Sequence, residues 1–238
     1  MKKFITAGLL FGLMFLMAGS AWALPIAKDD IIKMSPTDSV AKYKMTNQYP
    51  ASDQNSPDYW DKYYTFCLES DITFWYSGTF KVGSVADYAT SGGTDNAGPY
   101  NDDPNWVSGD NKDYISNQTK WAFASYMDKS SAYSADMVQN AIWWLEDETD
   151  GVESDWKTFF TMVTNLAYDY DLAKNYDYTS ILAGWDIKAV NLVKWNNYDI
   201  QTQLVGSKYN PVPEPATMVL FGIGLLGIAG MGRKRTSK

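Results

Sequence analysis

"WDIKAVNLVKWNNYDIQTQLVG", residues 185–206, decides the fold class. Its two halves, Trp185–Trp195 and Tyr198–Gly206, alternate branched or apolar residues with polar ones and read as a pair of strands. They follow a region with a different period. Val138, Ala141, Ile142 and Leu145 fall at i, i+3, i+4 and i+7 of a helix over about Ala135–Glu148. Trp156, Phe159, Phe160, Val163, Leu166 and Ala167 continue that spacing in a helix from about Ser154. "YISNQTKWAFASYMDK" (114–129) reads as a further helix. Ahead of the helices, "YYTFCLES" (63–70) and "DITFWYSGTFKV" (71–82) alternate rings and branched residues, with breaks at Gly78 and Gly83. They suggest two or three strands, with Cys67 near the end of one. Strands, then helices, then strands imply an α+β, β-rich body over residues 60–210 with an inserted helical segment.

Two stretches of the body read as irregular. Residues 24–59 are polar and broken by Pro25, Pro36, Pro50 and Pro57, an irregular lead-in. Residues 84–117 contain "SGGTDNAGPYNDDPNWVSGDNKD" (91–113), a loop composition. Its acids suit calcium, but no EF-hand spacing is present and the expectation is an ordinary solvated loop. No metal and no cofactor is expected.

The ends carry different signals. A basic start, an apolar run from Phe4 to Ala18 and then Ser20-Ala21-Trp22-Ala23 make residues 1–23 a secretory signal, cleaved after Ala23. At the far end, Pro213-Glu214-Pro215 precedes an apolar and glycine run, Ala216–Met231, followed by Arg233-Lys234-Arg235. The run is just long enough to cross a bilayer, with its basic end held at the cytoplasmic face. In tripeptide, span and basic tail, residues 211–238 resemble the PEP-CTERM sorting signal of Gram-negative bacteria. That resemblance implies transient inner-membrane anchoring through a transmembrane helix, recognition by an exosortase, and release to the cell surface or extracellular matrix.

Composition narrows the chemistry. The chain has 28 acidic and 20 basic residues. Setting aside Glu214, Lys2, Lys3, Arg233, Lys234, Arg235 and Lys238 leaves a body near −13 whose bases are all lysine. Such a surface repels nucleic acid, so no nucleic-acid partner is expected. There is no histidine and one cysteine, which removes the usual general base, any disulfide within the chain and multi-cysteine zinc sites. With 10 Trp and 17 Tyr, the body is far from a disordered composition.

An exported chain with a single cysteine poses the question of what that cysteine meets. "FCLE" (66–69) and "VQNAIW" (138–143) resemble the two signatures of the thioester domains of bacterial surface adhesins. One is an aromatic residue before a cysteine; the other is an apolar residue, a glutamine, two further residues and an apolar one. The resemblance implies an internal thioester between Cys67 and Gln139. Its function would be covalent attachment to an amine or hydroxyl on a matrix polysaccharide or surface protein. It is best known on Gram-positive adhesins, whereas the sorting signal belongs to a Gram-negative envelope, so the usual host-protein targets do not carry over. Gln139 lies one position off the apolar face, close to a helix start where N–H groups gather and could polarise its carbonyl. Phe66, Trp143 and Trp144 would exclude water, and Tyr64, Glu69 or Glu146 would move the proton. Such a protein is self-modifying rather than an enzyme with turnover. Two other classes remain open: a non-covalent carbohydrate-binding protein of an exopolysaccharide matrix, and a hydrolase using acids such as those in "LEDETD" (145–150). Glu146 and Glu148 are two apart on one helix, and so point in different directions.

Overall fold

The computed structural model describes residues 24, 26–36, 43–48, 62–72, 77–90, 99–100, 112–129, 132–148, 150–194 and 199–208. The secretory signal, Pro213-Glu214-Pro215 and the apolar run after it lie outside the described residues. Among the described residues no helix is long and apolar enough to cross a membrane. The chain divides into two units, Met1–Lys208 and Tyr209–Lys238, and every element described here belongs to the first.

Six strands close into a barrel: β1 (Ile31–Pro36), β2 (Tyr43–Gln48), β3 (Lys62–Cys67), β4 (Gly78–Ala86), β7 (Trp185–Val193) and β8 (Asp199–Lys208). Their order around the wall is β1-β2-β3-β8-β7-β4, and every pairing is antiparallel. A two-stranded ribbon pairs β5 (Tyr88–Ala89) with β6 (Asp113–Tyr114). Helices α1 (Asn117–Asp128), α2 (Ala135–Leu145), α3 (Glu153–Thr164), α4 (Tyr170–Lys174) and α5 (Thr179–Leu182) fall between β6 and β7. The α+β, β-rich class read from the sequence therefore holds. So do the strands around Cys67, the last pair of strands, and the three long helices to within a few residues.

Two stretches depart from the expectation. Residues 24–59 are not an irregular lead-in, because β1 and β2 form two staves of the barrel. Ile32 and Met34 of β1 and Tyr43 and Met45 of β2 point inward at alternate positions, and Pro36 stands at the end of β1, where its missing N–H is tolerated. Residues 84–117 are likewise not all loop, since β4 runs on to Ala86 and the ribbon follows. The part of the acidic loop at residues 91–98 and 101–111 lies outside the described residues.

Alternation along the strands produces two cores. The barrel interior takes Ile32, Met34, Met45, Cys67, Phe80, Val82, Val190, Leu192, Ile200 and Val205. The outer face of β3, β7 and β8 contributes Phe66, Leu68, Ile187, Ala189 and Leu204 to a second core shared with the helices. Trp121 of α1 is the hub of this second core. Its ring lies 5.4 to 6.0 Å from those of Trp156, Phe159, Phe160, Tyr176 and Tyr178. The three long helices each begin or end on a local cap. Ser116 and Ser134 accept from Thr119 N and Met137 N at the starts of α1 and α2, and Asn165 closes α3 in the left-handed region at φ 58°.

Where the helical layer meets the barrel, the approach is close enough to require glycine. A Cβ on Gly206 would stand 2.5 Å from Phe123 Cε1 and 3.0 Å from Ile187 Cγ1. Phe123 is fully buried and wedged edge-on against Phe66 and Trp185, so it has little room to yield. Gly206→Ala is expected to destabilise the protein by about 1–3 kcal/mol, the usual range for overpacking, measured as a lowered denaturant midpoint at unchanged slope.

Candidate functional site

Cys67 is the last residue of β3 and sits opposite Gln203 of β8. The next residue, Leu68, sends its N–H to Thr202 O on β8 at 3.0 Å. Successive main-chain groups of a strand point to opposite sides, so the N–H and C=O of Cys67 face away from β8. They lie two residues past the last β2 pairing, Thr65 with Tyr43. A side chain fills the place a strand would take. Cys67 N donates to Gln139 Oε1 at 2.8 Å, and Gln139 Nε2 donates to Cys67 O at 2.7 Å. Both residues are buried, Gln139 completely. The carboxamide thus grips the main chain on both sides of the Cα that carries the thiol.

This placement refines the sequence reading in two respects. Gln139, one position off the apolar face, is fully buried, because α2 packs against β3 as well as against α3. The N–H that reaches its carbonyl oxygen comes from Cys67 itself, not from the start of α2. The thiol points into the barrel interior, where Gln203 Nε2 lies 3.5 Å from Sγ. Gln203 is fully buried, and its Oε1 is 3.1 Å from the Thr65 hydroxyl. Neither Gln203 nor Thr65 was legible as part of the site. The only sequence signal is two glutamines at alternate positions of a strand, Gln201 and Gln203, which ordinarily marks a solvated face.

The surrounding candidates separate. Trp143 stands one helical turn beyond Gln139, on the same face, and packs against the interior cluster that holds Cys67. Its indole N–H is buried with no acceptor among the described residues. Phe66 and Trp144 belong to the other core, behind the strand. Tyr64 is 37% exposed and, like Phe66, alternates to the face of β3 opposite the thiol, so it is not placed to take a proton from sulfur. Glu146 accepts from Ser116 N and Oγ, tying the end of α2 to the start of α1. Glu148 does the same for the turn after β3, accepting from Ser70 N at 2.8 Å and Oγ at 3.2 Å. These carboxylates act as clamps between elements and do not face each other across a cleft.

Glu69 remains as an acid close to Cys67 in the chain. It is completely buried; its Oε2 accepts from Thr202 N, its main-chain oxygen accepts from Gln201 Nε2, and its Oε1 has no partner among the described residues. Burial is the dominant influence and pushes its pKa up to about 8, against the pull of Thr202 and with the help of the nearby charges of Glu148 and Asp71. At neutral pH it holds a proton. Among the described residues no group of three or more acid or cysteine side chains is arranged to hold a metal ion.

Residues 211–235 match the family model of the PEP-CTERM protein-sorting motif. The chain therefore carries a signal that implies exosortase-dependent sorting and export with transient membrane anchoring. No curated protein and no solved structure matches it.

Glu69 gives the site a pH signature. Between about pH 4.5 and 8 the folded chain keeps a proton that the unfolded chain has released, so stability falls as pH rises through this window and levels off above it. The slope from this group approaches ~1.4 kcal/mol per pH unit. Denaturant titrations across the window are expected to show it in the wild type and to lose it in Glu69→Gln.

Proposed function

We propose that the protein is an exported surface or matrix component whose Cys67 and Gln139 form an internal thioester, used once to attach covalently to a partner. The observation that carries this reading is the pair of short hydrogen bonds by which the Gln139 carboxamide holds the Cys67 main chain inside a dry core. In the reaction Cys67 Sγ attacks Gln139 Cδ, the C–N bond breaks, and the amide nitrogen leaves as ammonia with the thiol proton. Amides resist such attack in water, and alignment within a fold can contribute roughly 7–11 kcal/mol towards it. The N–H of Cys67 on Oε1 polarises the carbonyl. A partner's amine or hydroxyl would later take the acyl group from sulfur, leaving Gln139 bonded to the partner and Cys67 as a thiol.

The sorting motif supports the same setting, since an attachment domain is useful only outside the cell membrane. It favours a polysaccharide or protein of the cell surface or matrix as the acceptor. The carbohydrate-binding alternative draws less support. It needs exposed rings, and the described Trp and Tyr side chains are mostly spent on the core around Trp121. The hydrolase alternative loses its acids, because Glu146 and Glu148 are each committed to a serine on another element.

Mass spectrometry decides the matter. After allowance for terminal processing, the purified protein is expected to weigh one ammonia less than its sequence requires. Cys67→Ala and Gln139→Ala should each restore the full mass, and methylamine should add to the wild type while exposing one thiol. A full-mass wild type that ignores methylamine sinks the proposal.

A further inference from the structure

A buried carboxamide beside a buried sulfur is an unusual use of an apolar interior, and Gln203 is held there by more than chance packing. It sits in the middle of β8, paired with Cys67 of β3 on one side and with Val190 of β7 on the other, so its Cα cannot drift. The two ends of its side chain have different neighbours: Nε2 lies 3.5 Å from Cys67 Sγ and Oε1 lies 3.1 Å from Thr65 Oγ1. The hydroxyl of Thr65 has one proton and two acceptors in reach, Gln203 Oε1 at 3.1 Å and Phe66 O at 3.3 Å. With the proton on the nearer one, the amide is fixed with its N–H towards sulfur. All three residues are buried.

We infer that Gln203, oriented by Thr65, is a positioning residue that donates to Cys67 Sγ, stabilises the thiolate and aims it for attack on the Gln139 carboxamide. Sulfur is a weak acceptor when neutral and a much better one when charged, so a fixed amide donor favours the ionised form. Burial in apolar surroundings disfavours a charged sulfur in general. Without a donor the nucleophile would be scarce in the dry surroundings that protect the product. The arrangement also divides the labour between the two glutamines. Gln139 is the electrophile and grips the main chain of Cys67, while Gln203 manages its side chain from the opposite strand.

The inference rests on the thioester reading for its reaction, but its electrostatic content can be read separately. The chain has a single cysteine, so cysteine isotope-labelled at the β-carbon gives one resonance, whose shift reports thiol ionisation. The purified full chain is treated with methylamine first, which leaves Cys67 as a thiol whether or not a thioester had formed. Gln203→Met keeps the volume and removes the donor; Thr65→Val keeps the shape and removes the clamp. Relative to wild type, the ionisation midpoint is expected to rise by about one pH unit in Gln203→Met and by less in Thr65→Val. A purely structural role would lower stability and leave the midpoint in place. Coincident midpoints in all three proteins overturn the inference. In untreated samples followed from refolding, ammonia loss should be about tenfold slower in Gln203→Met. Equal rates in the two proteins would also overturn it. Should wild type lose no ammonia at all, the thioester reading fails, and the titration still decides whether Gln203 acts on the sulfur.

Discussion

The interaction on which the site depends is the docking of one side-chain amide against the end of one strand. Main-chain groups at a strand's end must find partners, and a buried N–H or C=O left alone costs about 1–3 kcal/mol. Cys67 presents both groups to the interior, away from β8. Gln139 carries one acceptor and one donor at the right separation, so a single side chain satisfies both. That requirement fixes the height and rotation of α2 against β3, because the carboxamide has no freedom to slide and still make two bonds. The rest of the helical layer has to accommodate this setting.

The two acids at the far end of α2 make the same constraint stiffer. Glu146 reaches Ser116 at the start of α1, and Glu148 reaches Ser70 in the turn that follows Cys67. The second clamp matters more for the site, since it ties the residues just after Cys67 to the end of the helix that carries Gln139. Helix and strand are thereby joined twice, once at residues 67 and 139 and again at residues 70 and 148. The Trp121 cluster packs in the same core as Val138, Ala141, Ile142 and Leu145 of α2. Between them, carboxylate clamps and aromatic packing hold the carboxamide in a core from which water is excluded, the condition any acylating sulfur needs if it is to outlive folding.

How much of this was legible follows from periodicity. Helices α2 and α3 announced themselves through one apolar stripe each, and β7 and β8 through alternation. The stripe left Gln139 one position off the apolar face because it identifies one buried face, whereas α2 is buried on two. The chemistry of its partner was read through the motif and not through burial. β1 and β2 escaped because they are six residues each, set among prolines and polar residues, with only two inward apolar side chains apiece. Gln203 escaped for the opposite reason. Alternation marks two faces of a strand without saying which is solvated. In a barrel whose outer face at β3, β7 and β8 is covered by helices, the polar phase of β8 could turn inward, and at residue 203 it does.

Stability alone does not account for the residue types gathered here. The main chain of any amino acid but proline at position 67 would satisfy the Gln139 carboxamide, so the two hydrogen bonds give no reason for a cysteine. A valine or alanine there would pack as well among Val82, Val190 and Val205. Gln203 is harder still to explain by packing, since a leucine or methionine would fill the same space without burying an amide whose partners are a sulfur and a hydroxyl. Two buried carboxamides on one residue, Gln139 on the main chain of Cys67 and Gln203 at its sulfur, cost stability when counted as architecture in an interior that is otherwise largely apolar. Under the proposed chemistry they divide into an electrophile and a donor arranged about a nucleophile. That asymmetry, more than either hydrogen bond taken singly, favours a reactive site over a structural one.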